Sequence, residues 1–464
     1  MKKIKTQIIP SKSFFIGTST DLDYKAICVF AATGFFLDDD TYYEKQKVLK
    51  PAHDYQIEKG KIISEKPYFQ WHYSPVERPL EQIVQEFAQL FETIITEQVG
   101  DKKVILPLSG GLDSRTQAAA LFHLGKKVNS YSYSFEGGHD ETYYGKKIAK
   151  ACNFSFQEWK VQKGYLWSKI ERLAAINGCY SEFTHPRQMA FVEKFAELGD
   201  VFSLGHWGDV LFDDMGVPEN FPENQMVDLL MKKIAKKGGM ELANALWKSW
   251  QLENDFEDYL RDRIQKLLDR IPINNSANAK IRAFKSLYWA PRWTSVNLSV
   301  FESVCPISVP YYDNRMCEFI CTVPEKYLAG RQIQIEYLKM RMPALAKITW
   351  QDHRPFNLYH YHWDKRPWNL PYKIVDKIRR TLQPKTLIQR NWELQFVGDS
   401  NEKELQKWLF ENPDFSELLN KDLVSEFFTK FVNQNQVCYS HPISILLTLS
   451  LFTKMNRLLV SKLI

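Results

Sequence analysis

The sequence predicts an α/β protein: a doubly wound parallel sheet, a mostly helical C-terminal part and a small β-rich N-terminal unit. Three observations carry this reading. Between Lys102 and Val161, strand-like apolar runs alternate with helix-like segments, the pattern of a parallel sheet wound through helices. Up to about Tyr73, short apolar runs alternate with turn residues. After about Pro218 the apolar positions repeat at three and four over long stretches.

Taken in order, the first segment offers Phe14 to Gly17, Ile27 to Phe30 and Tyr55 to Ile57, then a hairpin signal at Lys59-Gly60-Lys61 before Ile62 and Ile63. Residues Pro79 to Val99 switch period, with Leu80, Ile83, Val84, Phe87, Leu90, Phe91 and Ile94 forming the apolar face of a helix. From Lys102 the order is strand, Gly-rich turn, helix (Ser114 to Leu124), strand (Val128 to Phe135), helix (Glu141 to Cys152) and strand (Phe154 to Val161). A helix over Arg187 to Leu198 and a strand over Asp200 to Leu204 continue the alternation. Amphipathic patterns then run through Lys285, over Pro324 to Lys347, and from Ser440 to Leu463. The expected boundaries are a β-rich domain at 1–78 and a second domain at 79–464, divided into an α/β core (79–217) and a helical part (218–464).

Composition narrows the class. The 464 residues are 44% hydrophobic and 25% charged, ordinary for a globular chain, with an aromatic share of 14% on the rich side. A net charge of +6 is mild, and basic and acidic residues are interspersed, so dedicated nucleic-acid binding is not indicated. The basic cluster Lys232 to Lys237 has helical spacing and fits a solvated helix face. Seven scattered cysteines without a Cys-x-x-Cys pair suggest buried thiols in a reducing compartment. No apolar stretch reaches the length of a signal segment or membrane span, so a cytoplasmic protein without membrane contact is expected.

The chemistry concentrates in one loop. Val104 to Leu108 reads as a strand, Ser109-Gly110-Gly111 as the turn and Asp113-Ser114 as the start of an Ala-rich helix. Glycines there let backbone approach a polyphosphate, the serine hydroxyls can donate to it, and the helix N-terminus favours an anion. Asp113 would repel phosphate by itself but makes sense holding a Mg²⁺ ion that bridges phosphates. A plain strand-to-helix turn with an N-cap is the bland alternative. The loop is not of the Walker type, because no Gly-Lys-Ser/Thr follows.

Ser109-Gly-Gly-Leu-Asp-Ser114 resembles the pyrophosphate loop of the ATP-pyrophosphatase superfamily, and in particular the synthetase domain of the asparagine synthetase family. Further stretches agree in order: Gly34 to Tyr43 and Leu49 to His53 with the later part of that family's amidotransferase half, Phe202 to Phe212 with its Ser-Gly-acid-Gly-x-Asp-Glu segment, Val309 to Asp313 with its Val-Pro-Phe-Leu-Asp segment, and His441 to Phe452 with its closing helix. The resemblance implies ATP and Mg²⁺ as cofactors, Asp113 and Asp209 as metal ligands, and Leu108, Ser109, Gly110, Gly111, Asp113, Ser114 and Gly205 at the nucleotide. Asp140-Glu141 matches an acidic pair of the family, although complementing a helix dipole explains it equally well.

Three departures qualify the resemblance. The family's amidotransferase nucleophile is a cysteine directly after Met1, whereas this chain has Lys2 and no cysteine before Cys28, itself inside an apolar run. Glutamine hydrolysis is therefore not expected, and the N-terminal unit reads as a truncated remnant. Where the family has an acid and a glutamate around the metal aspartate, this chain has His206 and Val210. With an ordinary pKa of about 6.5, His206 is the candidate base, a structural contact being the alternative. The family's helix lysine aligns with Ile335, leaving Arg331 or Lys339 to supply the missing cation.

The expectation is an ATP- and Mg²⁺-dependent ligase that adenylates a carboxylate, releases pyrophosphate and forms an amide with an amine from elsewhere, in a specialised biosynthetic or peptide- or polysaccharide-modifying role. Its partners would be a small-molecule or peptide carboxylate and an amine acceptor, with a homodimer or biosynthetic partner protein possible. The alternative is a nucleotide-binding scaffold that no longer ligates. The run Trp350, His353, Phe356, Tyr359, His360, Tyr361, His362, Trp363 is either an acceptor wall or a packing cluster, and its histidine spacing does not suit zinc.

Overall fold

The computed structural model describes residues 1–382 and 387–460. Its centre is a five-stranded parallel sheet. In chain order the first three strands are β6 (Val104–Pro107), β7 (Val128–Phe135) and β8 (Ser155–Val161), and the last two are β9 (Val201–Ser203) and β10 (Ile307–Ser308), the numbering following the five N-terminal strands given below. The spatial order is β10-β9-β6-β7-β8, every neighbouring pair parallel, with Val104 opposite Val128 on one side and Val201 on the other. The chain thus builds outward from β6, returns to its other side and builds outward again. Ligands bind such sheets at that reversal, beyond the carboxyl ends of the strands. Both loops singled out in the sequence, Leu108 to Ser114 after β6 and Leu204 to Asp209 after β9, leave the sheet there.

Val104, Ile105 and Leu106 are buried because helices cover both faces of β6. Ahead of the sheet, α2 (Leu80–Val99) follows the predicted period, burying Ile83, Val84, Phe87, Phe91 and Ile94. After β6, α3 (Leu112–His123) buries Ala118, Ala119 and Ala120, small side chains that allow close approach to the sheet. After β7 comes α4 (Thr142–Ala151), and Arg187–Glu197 is wound as 3₁₀ turns where an α-helix was expected. The helical second half is as predicted, ending in the helix Gln436–Val460; residues 461–463 of the expected pattern lie outside the described residues.

The N-terminal unit contains β1 (Lys2–Lys5), β4 (His53–Glu58) and β5 (Lys61–Pro67) as an antiparallel sheet of order β1-β4-β5, and the short ribbon β2 (Phe15–Ile16) with β3 (Lys47–Val48). The turn at Lys59-Gly60 is the predicted hairpin. One expectation fails: Ile27 to Phe30 is not strand but part of α1 (Tyr24–Thr33), capped by the Asp23 carboxylate on the Ala26 N–H at 2.9 Å. All eight residues from Ala26 to Thr33 are buried, so no polar stripe marks the helical period and the run is indistinguishable from a strand. This helix packs on Gly239–Ser249 of the second half so closely that a Cβ at Gly239 would meet the Ala32 carbonyl at 2.4 Å. Cys28 sits inside it, and burial pushes its thiol well up, as expected of a packing cysteine. Among the described residues, no helix is long and apolar enough to cross a membrane, and all seven cysteines are free.

Candidate active site

A cavity of about 640 Å³ opens at the topological reversal, lined by Leu108, Ser109, Asp113 and Ser114 from the first loop and Gly205, His206 and Asp209 from the second. The first loop holds its own shape: the Ser114 hydroxyl accepts from the Ser109 N–H at 3.1 Å, and the Ser109 hydroxyl accepts from the Gly111 N–H at 3.3 Å. Gly110 faces away from this bonding and is overlaid by Gln351; a Cβ there would meet Gln351 Oε1 at 2.2 Å. The Gln351 N–H donates to the Gly110 carbonyl at 3.3 Å.

Arg115 fixes that overlay. Fully buried, it donates to the carbonyls of Gly110 (3.1 Å), Ile348 (2.9 Å) and Thr349 (2.9 Å), with a longer contact to Leu345 (3.4 Å). Sequence reasoning missed this residue, because an arginine in the first turns of a helix has no local mark of burial.

The two predicted metal ligands come together. Glycine makes this possible: a Cβ at Gly205 would meet Asp113 Cβ at 2.8 Å, and one at Gly208 would meet Asp113 Oδ1 at 2.2 Å. Burial, reinforced by the Asp209 charge, lifts Asp113 to about 6, against the pull of Arg331. The same Asp113 oxygen accepts from the Arg331 guanidinium and from Gln334 Nε2 at 3.1 Å. Arg331 itself is held with φ +62°, a conformation costly for a side chain with a Cβ, and bonds Gln334 Oε1 at 2.6 Å. Trp207, next to His206, has φ +76°. Two strained non-glycine residues therefore flank the carboxylates.

Of the remaining predicted residues, Lys339 is not brought to the cavity: its ammonium pairs with Glu336 at 2.8 Å and lies 5.4 Å above the Tyr359 ring. Ile335 is buried. His206 lines the cavity, but burial pushes it down to about 4, with Asp209 opposing, and its Nδ1 is buried without a partner. At neutral pH it is an uncharged ring and a poor base. Asp140 turns out to cap α4, accepting from the Thr142 N–H at 2.9 Å, while Glu141 lines the cavity. The aromatic run from Trp350 mostly packs on itself, Trp350 against His353 (4.2 Å) and Tyr361 (5.6 Å), while the neighbouring Gln351, not one of its rings, reaches the cavity wall.

Two cations that sequence reasoning missed line the cavity, Arg187 and Lys285. Lys285 begins a stretch of i→i+5 helix, Lys285–Thr294, whose wide turns bring Lys285, Trp289 and Trp293 to the same wall. The four-residue spacing Lys285, Trp289, Trp293 was the available signal, but it merges with an ordinary amphipathic pattern. Among the described residues, no three His, Cys, Asp or Glu side chains converge as a self-sufficient metal centre.

The family model described as asparagine synthase matches residues 86–366, more than half of the chain and the whole of this cavity's strand-end loops. The chain belongs to the asparagine synthase family. No curated protein matches it. Among solved structures, this asparagine synthase family member is similar to an NMN synthetase from Francisella tularensis, with 13% identity over 45% of this chain and 93% of that one, at a TM-score of 0.23. It is also similar to a glutamine-dependent NAD⁺ synthetase from Acinetobacter baumannii in complex with ADP, with 12% identity and a TM-score of 0.20. There the match covers 91% of this chain but only 62% of the other. Both scores are too low to argue from, and the family assignment rests on the matched model. It supports an ATP-dependent, amide-forming ligase lineage.

Proposed function

We infer that the protein is an ATP- and Mg²⁺-dependent ligase that adenylates a carboxylate and passes the acyl group to an amine. The observation that carries this is the meeting of Asp113 and Asp209 at one cavity wall, beside a glycine loop and the free N–H groups that start α3. A carboxylate whose proton affinity is raised by burial and by a second carboxylate beside it suits a hard divalent cation whose other ligands are phosphate oxygens. A bound Mg²⁺ would neutralise charge on the phosphates and align them.

In the first step a substrate carboxylate oxygen attacks the α-phosphorus while the α–β bridging bond breaks and pyrophosphate leaves. In the second, an amine nitrogen attacks the acyl carbon, AMP departs with the C–O electrons, and the surplus proton passes to solvent or a base. Ser109, Gly111 and the α3 N-terminus supply donors for the leaving pyrophosphate. Neutral His206 serves better to accept a hydrogen bond from the incoming amine than to deprotonate an ammonium. Cys28, buried within α1, is unsuited to nucleophilic chemistry, which supports an amine from outside a glutaminase.

The test is radiolabelled pyrophosphate exchange into ATP with a panel of acids. Exchange dependent on acid and Mg²⁺ and abolished in Asp113→Asn is expected; no exchange with any acid would sink adenylation. One observation favours the alternative of a nucleotide-binding scaffold: Arg331 already neutralises Asp113 and Gln351 overlies Gly110. Tight ATP binding without exchange would select it.

A further inference from the structure

The acid's own subsite can be read from the cations of the cavity. Arg331 is committed to Asp113, Lys339 to Glu336, and Arg187 to a hydrogen bond with Tyr133 and to the Phe135 ring 5.7 Å away. Lys285 differs. It lines the cavity near Asp209, yet among the described residues no hydrogen bond or ion pair holds its ammonium. Its neighbours are two indoles, Trp207 at 5.7 Å and Trp289 at 5.3 Å from Nζ to ring centroid. Such contacts return less than a withdrawn ammonium loses in leaving water. Beside a cavity, that is a cation prepared for an anion the protein does not itself provide.

The wall around it carries a second signal. Trp289 stacks on Phe35 through one face (5.6 Å, 12°) and meets Trp293 edge-on at 6.2 Å and 72°. Both indole Nε1 atoms are buried and reach no acceptor, as is His206 Nδ1. An indole N–H only donates and ordinarily finds a partner when buried. Among the described residues neither donor is used by the fold itself.

Resting on the adenylation reading, we propose that the wall formed by Lys285, Trp289 and Trp293 binds the carboxylate substrate, and that this substrate is a hydroxylated ring acid of the hexuronic class. Lys285 holds its carboxylate, the indole edges line its ring, and their N–H groups donate to its hydroxyl or ring oxygens. A simple aryl acid would leave those donors unpaired. Aspartate has no ring for the indoles to pack against.

The experiment uses the full chain with Mg²⁺, measuring pyrophosphate exchange with D-glucuronate, D-galacturonate and their methyl glycosides, against benzoate and L-aspartate. Exchange with the uronates is expected. Lys285→Met should lower their kcat/KM at least ~100-fold while calorimetric ATP affinity stays within about threefold. Trp289→Phe and Trp293→Phe, which keep a ring but remove the donor, should each raise the uronate KM about tenfold with kcat little changed. Exchange with benzoate or aspartate but not the uronates overturns the substrate class and leaves adenylation standing. Full exchange in Lys285→Met overturns the carboxylate-binding role, and unchanged KM in both Phe variants overturns the donor argument. ATP binding with no exchange for any acid removes adenylation and this inference together.

Discussion

Arg115 offers the sharpest test of how the site is built, because it is a buried cation with no carboxylate within ion-pair distance among the described residues, satisfied by backbone carbonyls. Replacing it with Met keeps much of the aliphatic stem and deletes three good hydrogen bonds, those to Gly110, Ile348 and Thr349 at 2.9–3.1 Å. At about 1 kcal/mol net for each, the segment around residues 345–351 should lose roughly 3 kcal/mol of its hold on the glycine loop, somewhat offset by relief of the buried charge. That corresponds to about a hundredfold faster opening of this segment, and the released Gln351 should no longer overlie Gly110. Hydrogen exchange followed by mass spectrometry reads the opening directly, and calorimetry reads the expected weakening of ATP binding. Arg115→Lys should restore little, since an ammonium cannot span carbonyls on two segments as the guanidinium fork does. Arg115→Met with unchanged protection across 345–358 and unchanged ATP affinity would refute the reasoning.

His441 gives a pH prediction. Its Nε2 donates to the Ala31 carbonyl at 3.0 Å, Glu182, Lys236 and His185 face it, and burial pushes it down to about 4. The unfolded chain takes up this proton first, near pH 6.5, so the stability it contributes is complete above that and is lost as pH falls toward 4, on the order of 3 kcal/mol as an upper figure. Urea midpoints measured between pH 7 and 4 should fall more steeply in the native chain than in His441→Gln. The buried pair of Arg282 and Glu325, bonded at 2.6 and 2.9 Å, also ties Val210 and Asp213 through Arg282, which steadies the turn that presents Asp209. Glu325→Ala should cost about 3–5 kcal/mol and lower the thermal midpoint, because it strands a charge; the double variant Arg282→Met, Glu325→Leu should recover most of that loss.

What the sequence made legible was local. Ser109 to Ser114 could be read because strand, glycine turn and helix start are contiguous, so the geometry is dictated within a dozen residues. Asp209 followed only from the resemblance of Phe202 to Phe212 to a segment of the family. The α1 helix could not be read, since burial on every side erases its period. The strand Ile307–Ser308 is too short to show alternation, yet it completes the sheet beside β9. Arg115 depends on carbonyls more than 230 positions away in the chain, which nothing near it announces.

The cations show the same limit from the side of chemistry. Ile335, where the family's lysine was expected, is packed into the core, and the helix that bears it turns Lys339 toward Glu336. Arg331, the other substitute, is held by a left-handed backbone against Asp113, which positions the carboxylate but uses up the charge. Charge that helix no longer brings to the cavity reappears on the wall from Lys285 to Trp293, on an element unrelated to it in sequence. A site of this kind is specified by where charge is needed around a reacting carboxylate, and several backbone positions can meet that need. Aligning this chain residue by residue with its family would record the loss at Ile335 and pass over the ammonium at Lys285.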